Sequence, residues 1–118
     1  MRQPDDAALL DMLVLAKSVL RRVEGLSRED FERDEDIQIV LTHLIQTIGE
    51  AASQSSQTLR AKYPQIPWHE IIGMRHRIVH DYLNVLPEII WDTAHKDIPS
   101  LILALEAIVS LQDPDVDS

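Results

Sequence analysis

Ile71-Ile72-Gly73-Met74-Arg75-His76-Arg77-Ile78-Val79-His80-Asp81-Tyr82 reads as a helix and sets the fold class. At about 100° per residue, Ile71, Ile72, Ile78, Val79 and Tyr82 share one face, with Arg75 at its centre. A guanidinium does not lose its proton and is costly to bury alone. It therefore calls for a carboxylate, a carbonyl cluster or a ligand phosphate facing it. The adjoining strip carries His69, Gly73, His76 and His80, at spacings of four, three and four. A cation beside a row of imidazoles can hold a phosphodiester and move a proton. The plainer alternative is an arginine tied to a neighbouring helix, with histidines on the boundary between core and solvent.

The rest of the chain carries the same helical period. Ala8, Leu9, Met12, Leu13, Ala16, Val19, Leu20 and Val23 predict a first helix from about Asp5 to Glu24, ended by Gly25. Ser27-Arg28-Glu29-Asp30 has the form of a capping box opening one short turn. A long second helix is expected from about Asp34 to Ala61, with Ile37, Leu41, Leu44, Ile45, Ile48, Ala51, Ala52, Ser55 and Leu59 as its stripe. Ile39, His43 and Glu50 lie nearly opposite, and an Ile there suggests that something covers that face. Gly49, Ala51, Ala52 and the nearby serines would let another backbone approach. The loop Tyr63-Pro64-Gln65-Ile66-Pro67 precedes a third helix running to about His80 or Tyr82. Pro87 opens a short fourth helix, and Asp97-Ile98-Pro99 caps a fifth. The expected architecture is all-α, an up-and-down antiparallel bundle of four to five helices. Residues 1–112 would form one domain, and the acidic segment 113–118 a disordered tail.

Composition narrows the function classes. The 118 residues carry a net charge of −9 and no cysteine, which excludes disulfides, thiolate catalysis and cysteine-based zinc sites. The first residues lack the basic and apolar regions of a signal peptide, and no apolar run approaches a membrane span, so a soluble, cytoplasmic protein is expected. The acidity argues against broad adhesion to nucleic acid. Yet residues 60–82 hold Arg60, Lys62, Arg75 and Arg77 against only Glu70 and Asp81, together with three of the 5 histidines. A polyanion would be met there, at a small local site.

Three chemistries compete in that window. Cleaving RNA requires a base for the 2′-hydroxyl proton, donors for the charged phosphorane and an acid for the leaving 5′-oxygen. Histidine can serve as acid or base, and arginine offers forked donors that match phosphate. No metal is needed, because the 2′-hydroxyl is the nucleophile. Arg75 and His80 are about 140° apart on a straight helix, so they converge only through long side chains, a frayed helix end or a second subunit. A metal site is the second possibility, with His76 and His80 at i, i+4. It lacks the Glu of H-E-x-x-H and an obvious third ligand. The third is structural, with Arg77 and Asp81 as an exposed ion pair.

Arg75-x4-His80-x-Tyr82 resembles the R-x4–6-H signature of HEPN-domain proteins, in the R-x4-H-x-Y form of HepT-like toxins. Ile48-Gly49-Glu50-Ala51-Ala52, Pro67-Trp68, Ile71-Ile72-Gly73-Met74, Ile90-Trp91 and Asp97-Ile98-Pro99 agree with it, so the resemblance spans about residues 6 to 111. It implies a HEPN-like bundle acting as a metal-independent endoribonuclease, without cofactor. Such an enzyme would be the toxin of a HEPN/MNT toxin–antitoxin pair. Its RNA site would lie in a cleft between the protomers of a homodimer. Arg75 would hold the phosphate and His80 would be the acid/base. His76 stands where the family usually has a polar residue, often Asn, and Glu50 matches the family's Gly-Glu pair; both are supporting candidates. The implied partner is a nucleotidyltransferase antitoxin of the MNT type, which would transfer AMP to Tyr82. The alternative is a non-catalytic interaction or nucleotide-binding module that keeps the fold.

Overall fold

The structure is a computed structural model and describes residues 4–112; the acidic tail expected at 113–118 lies outside them. Helix α1 (Pro4–Val23) has Asp5 and Asp6 in its first turn and Arg21 and Arg22 in its last, matching the charges of the helix ends. Its stripe, including Leu9, Met12, Ala16 and Val19, is fully buried. Gly25, at φ 75°, supplies the left-handed residue that turns the chain out of α1.

Short α2 (Arg28–Arg33) opens where Ser27 Oγ accepts from the Asp30 amide (3.1 Å), as the capping box predicts. Phe31 anchors it in the core. Asp34 ends α2 and begins α3 (Glu35–Ser53), accepting from the Ile37 amide. The single helix expected over Asp34–Ala61 is divided. Ser53 Oγ donates back to the Gly49 carbonyl (2.8 Å), the chain bends at residues 54–56, and Ser56 caps α4 (Gln57–Lys62). The stripe continues across the bend, for Ser55 and Leu59 are both buried.

Helices α1 and α3 run antiparallel: the start of α1 meets the end of α3, where the Asp5 carboxylate accepts from the Ser56 amide (2.9 Å) and hydroxyl (2.6 Å). α5 (Trp68–His80) packs on α3. α6 (Pro87–Asp92) and α7 (Ile98–Gln112), expected as separate helices, are joined by a π turn at Thr93–Asp97, and α7 packs on α1. In this turn the Ile98 amide reaches back five residues, to the Thr93 carbonyl. Pro99 has no amide to donate and would crowd the carbonyl four residues before it. Widening the preceding turn lets the helix pass the proline instead of stopping. Leu41, Ile48, Ile78, Ile90, Leu105 and Ile108 close the core. The result is the expected all-α bundle, with no strand among the described residues. None of its helices is long and apolar enough to cross a membrane.

Candidate active site

Arg75 is placed by a close crossing of α3 and α5. A Cβ added to Gly49 would overlap the Arg75 Cβ and lie 3.0 Å from both Arg75 Cγ and the Ile71 carbonyl. Glycine at 49 is therefore a seat for the arginine stem, as the small-residue cluster on α3 suggested. Arg75 is half-buried, and its Nε is buried with no acceptor. Its side chain makes no hydrogen bond or ion pair with any described residue, where the only ion pair is Arg28–Glu32. The structural reading of Arg75, a guanidinium tied to a neighbouring helix, is thus not what the fold contains. A cation held at the protein surface with unused donors suits a ligand anion.

The apolar face read around Arg75 is only half covered. Ile78 is fully buried and Ile71 and Ile72 partly so, while Val79 is 43% and Tyr82 46% exposed. Arg75 therefore sits at the edge of the buried face and not within it. His80 ends α5, and its ring lies 4.1 Å from the His76 ring, centroid to centroid, at 49°. Both are exposed. No group of three or more His, Asp or Glu among the described residues is placed to share a metal ion.

Two local expectations fail here. Arg77 and Asp81 form no ion pair. Asp81 (φ −136°, ψ 32°) ends the helix, and its carboxylate accepts from Asn84 Nδ2 at 3.1 Å. Tyr82 then opens a 3₁₀ turn, Tyr82–Asn84. Tyr82 therefore does not share the helix face of Arg75, because the chain leaves the helix at Asp81, one residue earlier. Tyr82 is also no core anchor: its exposure leaves the ring open to a partner.

Glu50 is separated from this cluster within the protomer. Gly49 faces α5, and one residue on, about 100° around α3, Glu50 is half-buried and accepts from Gln46 Nε2 (3.1 Å). It lines a groove of about 420 Å³ with Asp11, Val14 and Leu15 of α1. The fold thus brings His76 to His80 and seats Arg75 on Gly49, with Tyr82 just beyond the helix end. Among the described residues it gives no hydrogen bond between Arg75 and His80. Ile39 (47%) and Val40 (38%) stay exposed, so the described residues do not cover that face of α3.

Sequence comparison identifies the family. The model of the family described as "Ribonuclease HepT-like" matches residues 12–108. A protein of Caldanaerobacter subterraneus subsp. tengcongensis named "Putative RNase TTE0752" is 39% identical over 83 residues, covering 70% of this chain and 74% of its own length. "Putative RNase MJ1216" of Methanocaldococcus jannaschii is 30% identical over 103 residues, 87% of this chain and 85% of its own. "Probable ribonuclease HepT" of Thermococcus cleftensis is 36% identical over 73 residues, 62% and 66% of the two chains. No solved structure gives a significant match. With the family match running from α1 into α7 and spanning the Arg75–His80 motif, the chain belongs to the HepT-like ribonuclease family.

Proposed function

We propose that the protein is a metal-independent endoribonuclease and the cytoplasmic toxin of a HEPN/MNT toxin–antitoxin pair. The observation that carries this is Arg75, with its Nε desolvated and its donors unspent, on the same helix as an exposed His76–His80 pair that begins at the next residue. In the reaction, a base takes the proton of the RNA 2′-hydroxyl. The 2′-oxygen then attacks the adjacent phosphorus, and the bond to the 5′-oxygen breaks as that oxygen is protonated. The products are a 2′,3′-cyclic phosphate and a 5′-hydroxyl. Arg75 binds the non-bridging oxygens, where negative charge builds in the transition state. His80 carries out proton transfer.

A symmetric homodimer supplies the second set of groups. Arg75 and His80 diverge on one helix, and a two-fold cleft sets the Arg75 of one protomer near the His80 of the other. The uncovered apolar positions Val79 and Val40 support such pairing. Tyr82 is the proposed control point. Its phenolic oxygen attacks the α-phosphorus of ATP on an MNT-type antitoxin, releasing pyrophosphate. The AMP left on Tyr82 then competes with RNA phosphate for the nearby cations.

The test is cleavage of an RNA oligonucleotide in EDTA, with light scattering to establish the dimer. Wild type should yield cyclic-phosphate ends, and His80→Ala or Arg75→Ala should lower the rate by at least about 10²-fold with helix content unchanged. Activity that requires added zinc or manganese would overturn the mechanism. An inert wild type would leave a non-catalytic bundle. Intact mass after incubation with the antitoxin and ATP should show AMP on wild type and none on Tyr82→Phe.

A further inference from the structure

Gly25 and Gly49 have reasons inside the protomer: one takes a positive φ, the other seats Arg75. Gly73 has neither. Its φ is not positive, a Cβ there would meet nothing within 4 Å, and it lies in the middle of α5. Apart from proline, glycine is the least favourable residue for a helix interior. Its neighbours on the helix surface give it a context. His69, His76 and His80 are exposed on the same strip, within an arc of about 60° that includes Gly73. The His76 and His80 rings touch, and Arg77 flanks the strip. Along this helix Arg75 and Arg77 stand against a single acid, Glu70, in a chain of net charge −9.

We propose that His69 and Gly73 extend the RNA-binding surface upstream of Arg75 and His80. A single strand lies along α5 with its ribose–phosphate backbone closing onto the helix at Gly73, where no side chain holds it off. Imidazole N–H groups of His69 and His76 donate to non-bridging phosphate oxygens on either side. From His69 to His80 the strip is about 16 Å long, enough for more than one phosphate. Phosphate contacts of this kind fix the position of the strand and carry no sequence information. The proposal rests on the ribonuclease reading and adds to it the path of the substrate.

The experiment compares wild type with Gly73→Ala, Gly73→Gln and His69→Ala. It reads melting temperature, light scattering, kcat and KM on cleavable RNA, and Kd for 2′-O-methyl RNA, which has no free nucleophile. Gly73→Ala should melt about 4 °C higher yet raise KM and Kd at least threefold, with kcat within twofold. Gly73→Gln should raise Kd tenfold or more, and His69→Ala about threefold. The proposal is overturned if the Gly73 variants bind RNA as wild type does, or if Gly73→Ala lowers the melting temperature. It is equally overturned if Gly73→Gln turns a dimer into monomers, which would place a second copy of the chain on this strip. A wild type that neither binds nor cleaves RNA defeats the ribonuclease reading as well. A wild type that cleaves, matched by its variants, defeats this inference alone.

Discussion

Arg60 and Arg75 each bury an Nε that has no acceptor, yet the rest of the two side chains is used in opposite ways. Arg60 Nη2 donates to the Ala52 and Ser53 carbonyls, at 3.3 and 3.0 Å, and so closes the open end of α3. A cation at a helix C-terminus also suits the negative end of the dipole. Arg75 donates to none of the described residues. One arginine stabilises the fold by what it touches. The other is held in place by packing on Gly49 and keeps its donors available. Burial does not separate the two roles, whereas the number of hydrogen bonds made does.

The sharpest way to break this comparison is to remove each guanidinium. Arg75→Met should cost at least 10²-fold in RNA cleavage while leaving the melting temperature unchanged or higher, because an unpaired buried donor is lost and an apolar stem is kept. Arg60→Met should do the reverse, costing roughly 1.5–3 kcal/mol of stability with cleavage per folded molecule retained. Urea unfolding paired with initial rates measures both. If Arg75→Met unfolds the protein, Arg75 is a structural residue after all.

Gly49→Ala sharpens the same contrast from the other side of the crossing. The new methyl meets Arg75 Cβ and a backbone carbonyl, neither of which can swing aside, so α3 and α5 must separate. The expected loss is about 1–3 kcal/mol, together with a rate decrease from a displaced Arg75. A Gly49→Ala variant as stable and active as wild type would mean that the seat does not position the arginine.

Much of this was legible in the sequence, and the misses share a cause. Helical periodicity locates Leu9, Met12, Leu41, Ile48 and Ile78 in the core, and Ser27 and Gly25 mark real boundaries, because each of these signals is local. The bend after Ser53 is invisible to periodicity, since Ser55 and Leu59 keep the buried phase across it. Asp97-Ile98-Pro99 reads as the cap of a separate fifth helix, but a π turn at Thr93–Asp97 carries the helix through. In the site, R-x4-H gives the spacing of Arg75 and His80 but not whether the arginine has a partner. That depends on which groups of other helices face it. The position of Tyr82 depends on Asp81 leaving the helix, and no apolar pattern encodes that exit.

The smallest expected effect concerns a contact far from the site that a sequence pattern could not reveal. The Asp5 carboxyl is held below its ordinary value of 3.8, chiefly by the hydrogen bond from the Ser56 side chain and also by that from the Ser56 amide, with slight burial opposing them. A lowered folded value means that the unfolded chain takes up a proton first as pH falls. The contribution is therefore complete above the ordinary carboxyl range and is lost as pH drops through the folded value. Asp5→Ala should destabilise the protein by about 1 kcal/mol at neutral pH, because two hydrogen bonds joining α1 to the start of α4 disappear. The gap between wild type and variant should close as pH falls from about 5 to 2. Urea midpoints at a series of pH values measure it. A gap that stays constant down to pH 2 would show that the Asp5 charge contributes nothing, and that the protonated carboxyl holds Ser56 as well as the carboxylate does.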